Sequence, residues 1–336
     1  MIDRVCAPQK RDAEIGPSAT DEAWVERRAQ LKFGLGGISL FAKSFPAVVY
    51  TGAFSSLSTD PDEPCPPLER SGSAIRAVLV RSHPIGNKLP RLRVRQNYIR
   101  YAAAQYRRFH IDLDGSFDEY MKRFSSQRRN HLKRLVKHFT TFSGGQIKWR
   151  EYKFSEEMRE FHQQAREISR KTYQENLADA GMPDGGAFVD ELCRLAAQDR
   201  VRGYVLFDQG KPIAYQYCPI VEDTLICDRI GYDPDYRQHA PGNILFLLII
   251  EHAFLVRRCR RFDLGRGEFP YKETLSSGHL FCADIYYFRP TFSNALLVVS
   301  HSTLNSLWRV CAFLLDRVRL RTRLKKLIRL RYGSRL

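Results

Sequence analysis

The run from residue 202 to 272 constrains this 336-residue chain more than any other. Three apolar stretches rich in β-branched and aromatic residues, 203–207, 212–221 and 224–232, are separated by the polar breaks Gln209-Gly210 and Glu222-Asp223. That spacing predicts a three-strand meander, because such breaks supply the backbone conformations of tight turns. A loop carrying Arg237, Ala240, Pro241 and Gly242 follows and opens into 243–257, an apolar run too long for a strand that ends in charge. It reads as a buried helix. A short strand at 261–264 and the turn Gly265-Arg266-Gly267 complete the order strand, strand, strand, loop, helix, strand.

The loop suits an anion. The first N–H groups of a helix are unpaired and carry partial positive charge, so phosphate binds there if side chains do not shield the backbone. Ala240 and Gly242 keep the approach open, Pro241 fits near the first helical position, and Arg237 adds a full charge. An ordinary loop of small residues has the same composition; the position between a meander and a helix gives the motif its weight.

On these residues the stretch resembles the GNAT acyltransferases, whose phosphate loop after the fourth strand has Arg or Gln, two residues, Gly or Ala, one residue, then Gly or Ala. Here it reads Arg237, Gln238, His239, Ala240, Pro241, Gly242. The wider pattern GKPIAYQYC, GYDPDY, APGNIL, FDLGRG and YK looks like the branch associated with cellulose and other polysaccharide biosynthesis (CelD-like), over roughly residues 117–289. The resemblance implies an α/β fold, a GNAT-type mixed central sheet flanked by helices, and transfer from acetyl-CoA or another acyl-coenzyme A to an amine on a sugar or polysaccharide precursor. It places the donor pyrophosphate on Arg237, Gln238, Ala240, Gly242 and Asn243, and pantetheine between the strands 224–232 and 261–264. Arg170 and Tyr173 become acceptor contacts, and no metal is implied. A more distant similarity to the Fem-like transferases implies a tandem pair of GNAT-like halves and, as an alternative, a donor taken from charged tRNA.

Acyl transfer to an amine needs a base for the amine proton, donors for the developing oxyanion and an acid for the thiolate. The groups available are Asp228, Asp263, Arg266, Glu268 and Tyr271. Glu268 and Tyr271 follow the glycine turn three residues apart and can share one side of a helical turn. Tyr271, with an ordinary pKa of about 10, is the natural donor to a thiolate. Asp228, on a strand bordering the thioester among apolar neighbours, is expected to be buried. Asp263 and Arg266 either contact substrate or pair with each other to stiffen the turn. Catalysis is therefore sought in Glu268, Tyr271 and Asp228.

The formal charge of +17 is concentrated in two places. Lys122, Arg123, Arg128, Arg129, Lys133, Arg134 and Lys137 lie in a stretch with no acid between Glu119 and Glu151, and residues 316–336 hold nine Lys or Arg against one Asp. Residues 117–142 read as one long linking helix, apolar at three- and four-residue spacings and cationic elsewhere, either a solvated face or a contact for phosphates. Residues 291–336 read as an amphipathic, basic helical tail suited to an anionic membrane surface, to nucleic acid, or to packing back on the domain. A non-catalytic basic adaptor is the alternative outside enzymes.

The rest divides into a polar tail at 1–20, an α/β half at 21–116 that opens with a helix at 21–31, and the transferase domain at 143–290. Strands are expected at 75–80, 92–101 and 109–113. No secretory signal or spanning segment is evident near the start, which reads as cytoplasmic. The eight cysteines show no Cys-x-x-Cys spacing, so neither a zinc site nor a disulfide framework is indicated. Cys218 and Cys227 face each other if the turn is Glu222-Asp223, as two reduced core thiols or as a disulfide.

Overall fold

The computed structural model describes residues 24–35, 38–50, 72–172, 181–267 and 269–317. The tail at 1–20, Tyr173, Glu268 and the basic segment beyond 317 lie outside these residues. The first described element corrects the sequence reading. Residues 24–35 form a strand, not a helix, because Ala29, Leu31 and Phe33 are buried while Gln30 and Lys32 between them are exposed, a two-residue repeat.

This strand, β1 (Trp24–Leu35), pairs antiparallel with β2 (Ile38–Tyr50). Then come β3 (Ala77–Pro84), β4 (Leu92–Val94) and the long β5 (Ile99–Asp112). The strand expected at 92–101 is in fact a hairpin: Arg95 N–H donates to Tyr98 O at 2.9 Å, folding Leu92 back against Tyr101. The strand expected at 109–113 is the end of β5.

The linking helix is two helices, α1 (Phe117–Lys122) and α2 (Ser126–Phe142). Ser125 makes the break, its side chain accepting from Arg128 N–H as an N-cap. Next are β6 (Lys148–Tyr152), a 3-10 turn (Ser155–Glu157), α3 (Met158–Ser169) and α4 (Gly186–Ala197). The meander follows as β7 (Val201–Asp208), β8 (Lys211–Val221) and a third strand split into β9 (Thr224–Ile226) and β10 (Arg229–Tyr232). A 3-10 turn (Pro234–His239) leads to α5 (Pro241–Val256), β11 (Arg261–Asp263), α6 (Pro270–Leu275), β12 (Gly278–Phe288) and α7 (Phe292–Arg317).

The strands join in one mixed sheet ordered β1-β2-β3-β12-β5-β11-β9-β8-β7-β6, with β10 on β8 and β4 on β5. Among the described residues only β2–β3 and β9–β11 are parallel pairs. Both halves of the chain share this sheet, and β12 lies between β3 and β5.

Helix α5 seats the candidate site. Ile244, Leu245, Phe246, Ile249, Ile250 and Phe254 are buried with Leu206, Ile213, Ile220 and Phe262 in one core. Burying such a side chain stabilises by roughly 1.5–3 kcal/mol. The helix is therefore held by its body, and its first turn is free to adopt a less favourable backbone. The other sheet face is covered by α3 and α4, with Phe161, Ile168 and Leu192 packed near Tyr215. In the first half, Phe45, Tyr101 and Phe288 form a separate core that includes Val298 of α7. The outer side of α7 carries Phe292, Leu296, Val299, Leu307 and Val310, all exposed. Among the described residues no helix is long and apolar enough to cross a membrane.

Candidate active site

Strands β9 and β11 run parallel for three residue pairs, from Thr224–Arg261 to Ile226–Asp263, and then part. Their last shared bond is Cys227 N–H to Asp263 O, 2.8 Å. Beyond it Asp228 N–H turns to Tyr217 O on β8 at 3.2 Å, while Leu264 N–H turns to Phe109 O on β5 at 2.9 Å. Each strand takes a partner on its far side, so the two strands part beyond Cys227 and Leu264. Gly265 stands at this point with φ +76°, and a Cβ there would lie 2.1 Å from Cys227 O. Only glycine fits both the conformation and the approach.

β10 delivers the chain to the loop. Asp233, fully buried, anchors it: one carboxylate oxygen accepts from Lys171 Nζ at 3.0 Å and lies 3.2 Å from Lys211 Nζ, and the other accepts from Asp235 N–H at 3.2 Å. Burial pushes this carboxyl up, but the bonds from Lys171, Asp235 and Lys211 outweigh it and hold it below the ordinary value. The end of α3 and the start of β8 are thus tied to one turn.

Ala240 is in the left-handed conformation (φ 49°, ψ 47°) and its carbonyl accepts from Asn243 and Ile244 N–H. That backbone costs a non-glycine residue roughly 1–2 kcal/mol, less than the burial of any two side chains of α5. Pro241 contributes no N–H at the first turn. Gly242 is half-buried, and an added Cβ would only touch the Tyr232 ring at 3.5 Å. Arg237, Gln238 and Asn243 are exposed around it.

Near this parting stands α6. Tyr271 meets Phe246 of α5 edge to face at 6.3 Å between ring centroids. The residue as a whole is 39% accessible, yet partial desolvation of its hydroxyl, with a smaller contribution from Cys227, pushes it up to about 12. A thiol titrates near 8.5, so handing a proton outright to a thiolate is uphill. Tyr271 is suited to donate a hydrogen bond and keep its proton. Lys272 is buried, which lowers its pKa, and Nζ donates to the carbonyls of Gly265 (3.2 Å) and Arg266 (2.7 Å), clasping the glycine turn.

The remaining sequence candidates divide. Asp228 is where the strands part, but it is exposed and 3.7 Å from Arg229, not enclosed by apolar neighbours as expected, because the strand leaves the core at Cys227. Asp263 and Arg266 do not pair with each other. Asp263 accepts from Arg108 Nε at 2.5 Å and from Gly265 N–H at 2.8 Å, and is buried. Arg266 pairs with Asp284, which also accepts from Ser82 N–H and the Tyr106 hydroxyl. Both side chains are occupied in holding the turn, Asp263 to β5 through Arg108 and Arg266 to β12 through Asp284. Arg170, at the end of α3, is exposed, 3.8 Å from Asp184. Cys218 and Cys227 are buried free thiols. The register Ile220–Leu225 and Val221–Thr224 agrees with the expected turn, but Cys227 leaves that ladder for Asp263. Among the described residues no cluster of His, Cys, Asp or Glu is arranged to hold a metal ion.

Sequence reasoning missed Asp233, Arg108 and Lys272. The partners of Asp233 are 62 and 22 positions away, and no local pattern announces such contacts.

Residues 126–273 match the family model of the acetyltransferase (GNAT) domain. No curated protein matches the chain. Among solved structures it is similar to a C-terminal domain assigned to a lysylphosphatidylglycerol synthetase of Agrobacterium fabrum, with 11% identity, 84% of this chain and 86% of that chain covered, and TM-score 0.49. It is similar to FemX, with 8% identity, 83% and 91% covered, and TM-score 0.47. An aminoglycoside acetyltransferase from an uncultured soil metagenomic sample shares 11% identity over 38% of this chain and 82% of its own, with TM-score 0.28.

Proposed function

We propose that the chain is an N-acyltransferase that moves an acetyl or other acyl group from acyl-coenzyme A to an amine on a sugar or polysaccharide precursor. The observation that carries this reading is the parting of β9 and β11 beside the turn at Ala240–Asn243, an opening for a thin thioester arm next to a phosphate-sized turn. The amine lone pair forms the new C–N bond at the thioester carbonyl, the amine proton leaves to a base, and the C–S bond breaks to release the thiolate, which takes up a proton.

The four backbone N–H groups at the mouth, those of Cys227, Asp228, Leu264 and Gly265, are all engaged by oxygen acceptors. The Tyr271 hydroxyl is therefore our candidate to steady the oxyanion or the departing sulfur. Asp228, reachable from solvent, and Glu268 are the candidates for the amine proton.

Calorimetric titration with acetyl-coenzyme A and with coenzyme A tests the donor. Binding in the micromolar range, on the order of −8 kcal/mol, is expected, and Gly242→Glu is expected to weaken it at least about a hundredfold by placing a carboxylate where phosphate must lie. Absence of binding to either thiol compound overturns the donor assignment.

We further propose that the chain works at an anionic membrane surface. The exposed apolar stripe of α7, with Phe292 86% accessible, runs toward the cationic residues from Arg317 onward. Flotation with anionic vesicles is expected to carry the chain but not one ending at Pro290; equal solubility of the two overturns it.

A further inference from the structure

Helix α2 turns part of its charge toward the turn that precedes α5. Arg134, Lys137, His138, Thr141 and Phe142 recur at spacings of three and four, so they form one stripe. Together with His239 they line an open depression of about 470 Å³, within the size range of small-molecule sites. Phe142 stacks on His239 with centroids 3.6 Å apart and planes 17° from parallel, and His138 lies along His239 at 5.4 Å and 20°. One wall is therefore aromatic. The rim is cationic: among the described residues Arg134 and Lys137 have no carboxylate partner, and the sequence offers no acid between Glu119 and Glu151. His239 belongs to both this depression and the Arg237–Asn243 loop.

An aromatic wall beside unneutralised cations favours a planar base joined to phosphate, since rings take the base face and guanidinium or ammonium groups take the anion. We propose that this depression binds a phosphorylated adenosine, its base along the Phe142, His138 and His239 rings and its phosphate on Arg134 and Lys137. The choice of adenosine rests on the acyl-coenzyme A reading above, which places a pyrophosphate on the adjoining turn. The depression would receive the nucleotide end of that donor, and α2 would recognise the part of it that does no chemistry.

Three probes separate this subsite from the donor reading: adenosine 3′,5′-bisphosphate for the nucleotide end, 4′-phosphopantetheine for the thiol end, and coenzyme A for the whole. In calorimetric titrations at low salt the double variant Arg134→Gln/Lys137→Gln is expected to bind the bisphosphate and coenzyme A about tenfold or more weakly, and 4′-phosphopantetheine as the unsubstituted chain does. Lys133→Gln, on the same helix but outside the depression, is expected to change none of the three. Unaltered bisphosphate affinity in the double variant, or no bisphosphate binding to the unsubstituted chain, overturns the subsite. If the bisphosphate binds and is lost in the double variant while coenzyme A does not bind at all, the subsite stands and the coenzyme A reading falls. Displacement of the bisphosphate by tRNA would then assign the adenosine to an RNA 3′ end.

Discussion

Asp263→Ala is expected to lower the free energy of unfolding by about 3–5 kcal/mol, the cost of leaving one member of a buried ion pair without its partner. Arg108 and Asp263 side chains are only 9% and 13% accessible, so water does little to compensate the stranded guanidinium. The carboxylate also accepts from Gly265 N–H, and its loss frees the turn at which the two strands part. Donor binding should fall along with stability. Asp263→Asn retains an acceptor for Gly265 and is expected to lose clearly less, and replacing both Arg108 and Asp263 by leucine should cost less than the two single changes together. Urea unfolding of the unsubstituted chain and of Asp263→Ala, Asp263→Asn, Arg108→Leu, Asp263→Leu and the double leucine variant checks this; a loss below about 1 kcal/mol in Asp263→Ala would mean that the pair does not hold the turn.

Asp233→Asn should show in pH as well as in magnitude. Its lysine partners are 38% and 42% accessible, so the loss at neutral pH is discounted from the fully buried case to about 2 kcal/mol. The folded carboxyl titrates below its ordinary value of 3.8. Its stabilisation is therefore complete above the unfolded value and disappears as pH falls through the folded one. The gap between Asp233→Asn and the unsubstituted chain should be widest near neutrality and close at pH values below about 4. A gap independent of pH would show that the lysines do not act on this carboxylate. Coenzyme A affinity measured at neutral pH should drop in the variant, because Asp233 fixes the start of the turn that leads to Ala240.

The sequence was informative where structure is local and less so where it depends on distant pairing. The meander and the buried helix after it follow from apolar run lengths and turn residues, and they frame the candidate site. The split of the third strand does not. Residues 224–232 have one continuous strand-like composition, and the break at Cys227-Asp228 exists only because β11 lies alongside the first part and not the second. Residues 24–35 were misleading because their charged residues obscure a two-residue repeat that becomes plain once one face is seen to be buried. Likewise Asp263 and Arg266 have the right chemistry for substrate contact, yet their nearest opposite charges, Arg108 and Asp284, come from strands on the far side of β11.

The place of β12 has a consequence for how the protein is made. The sheet of the first half has a gap between β3 and β5 that only residues 278–288 fill. A ribosome must therefore synthesise nearly all of residues 143–290 before the earliest strands can close their ladder. Until then β3 and β5 present unpaired edges, the kind of surface that invites association with other chains. Expression of the first half alone would leave that edge open permanently, so the two halves complete one sheet, however separable they look along the chain.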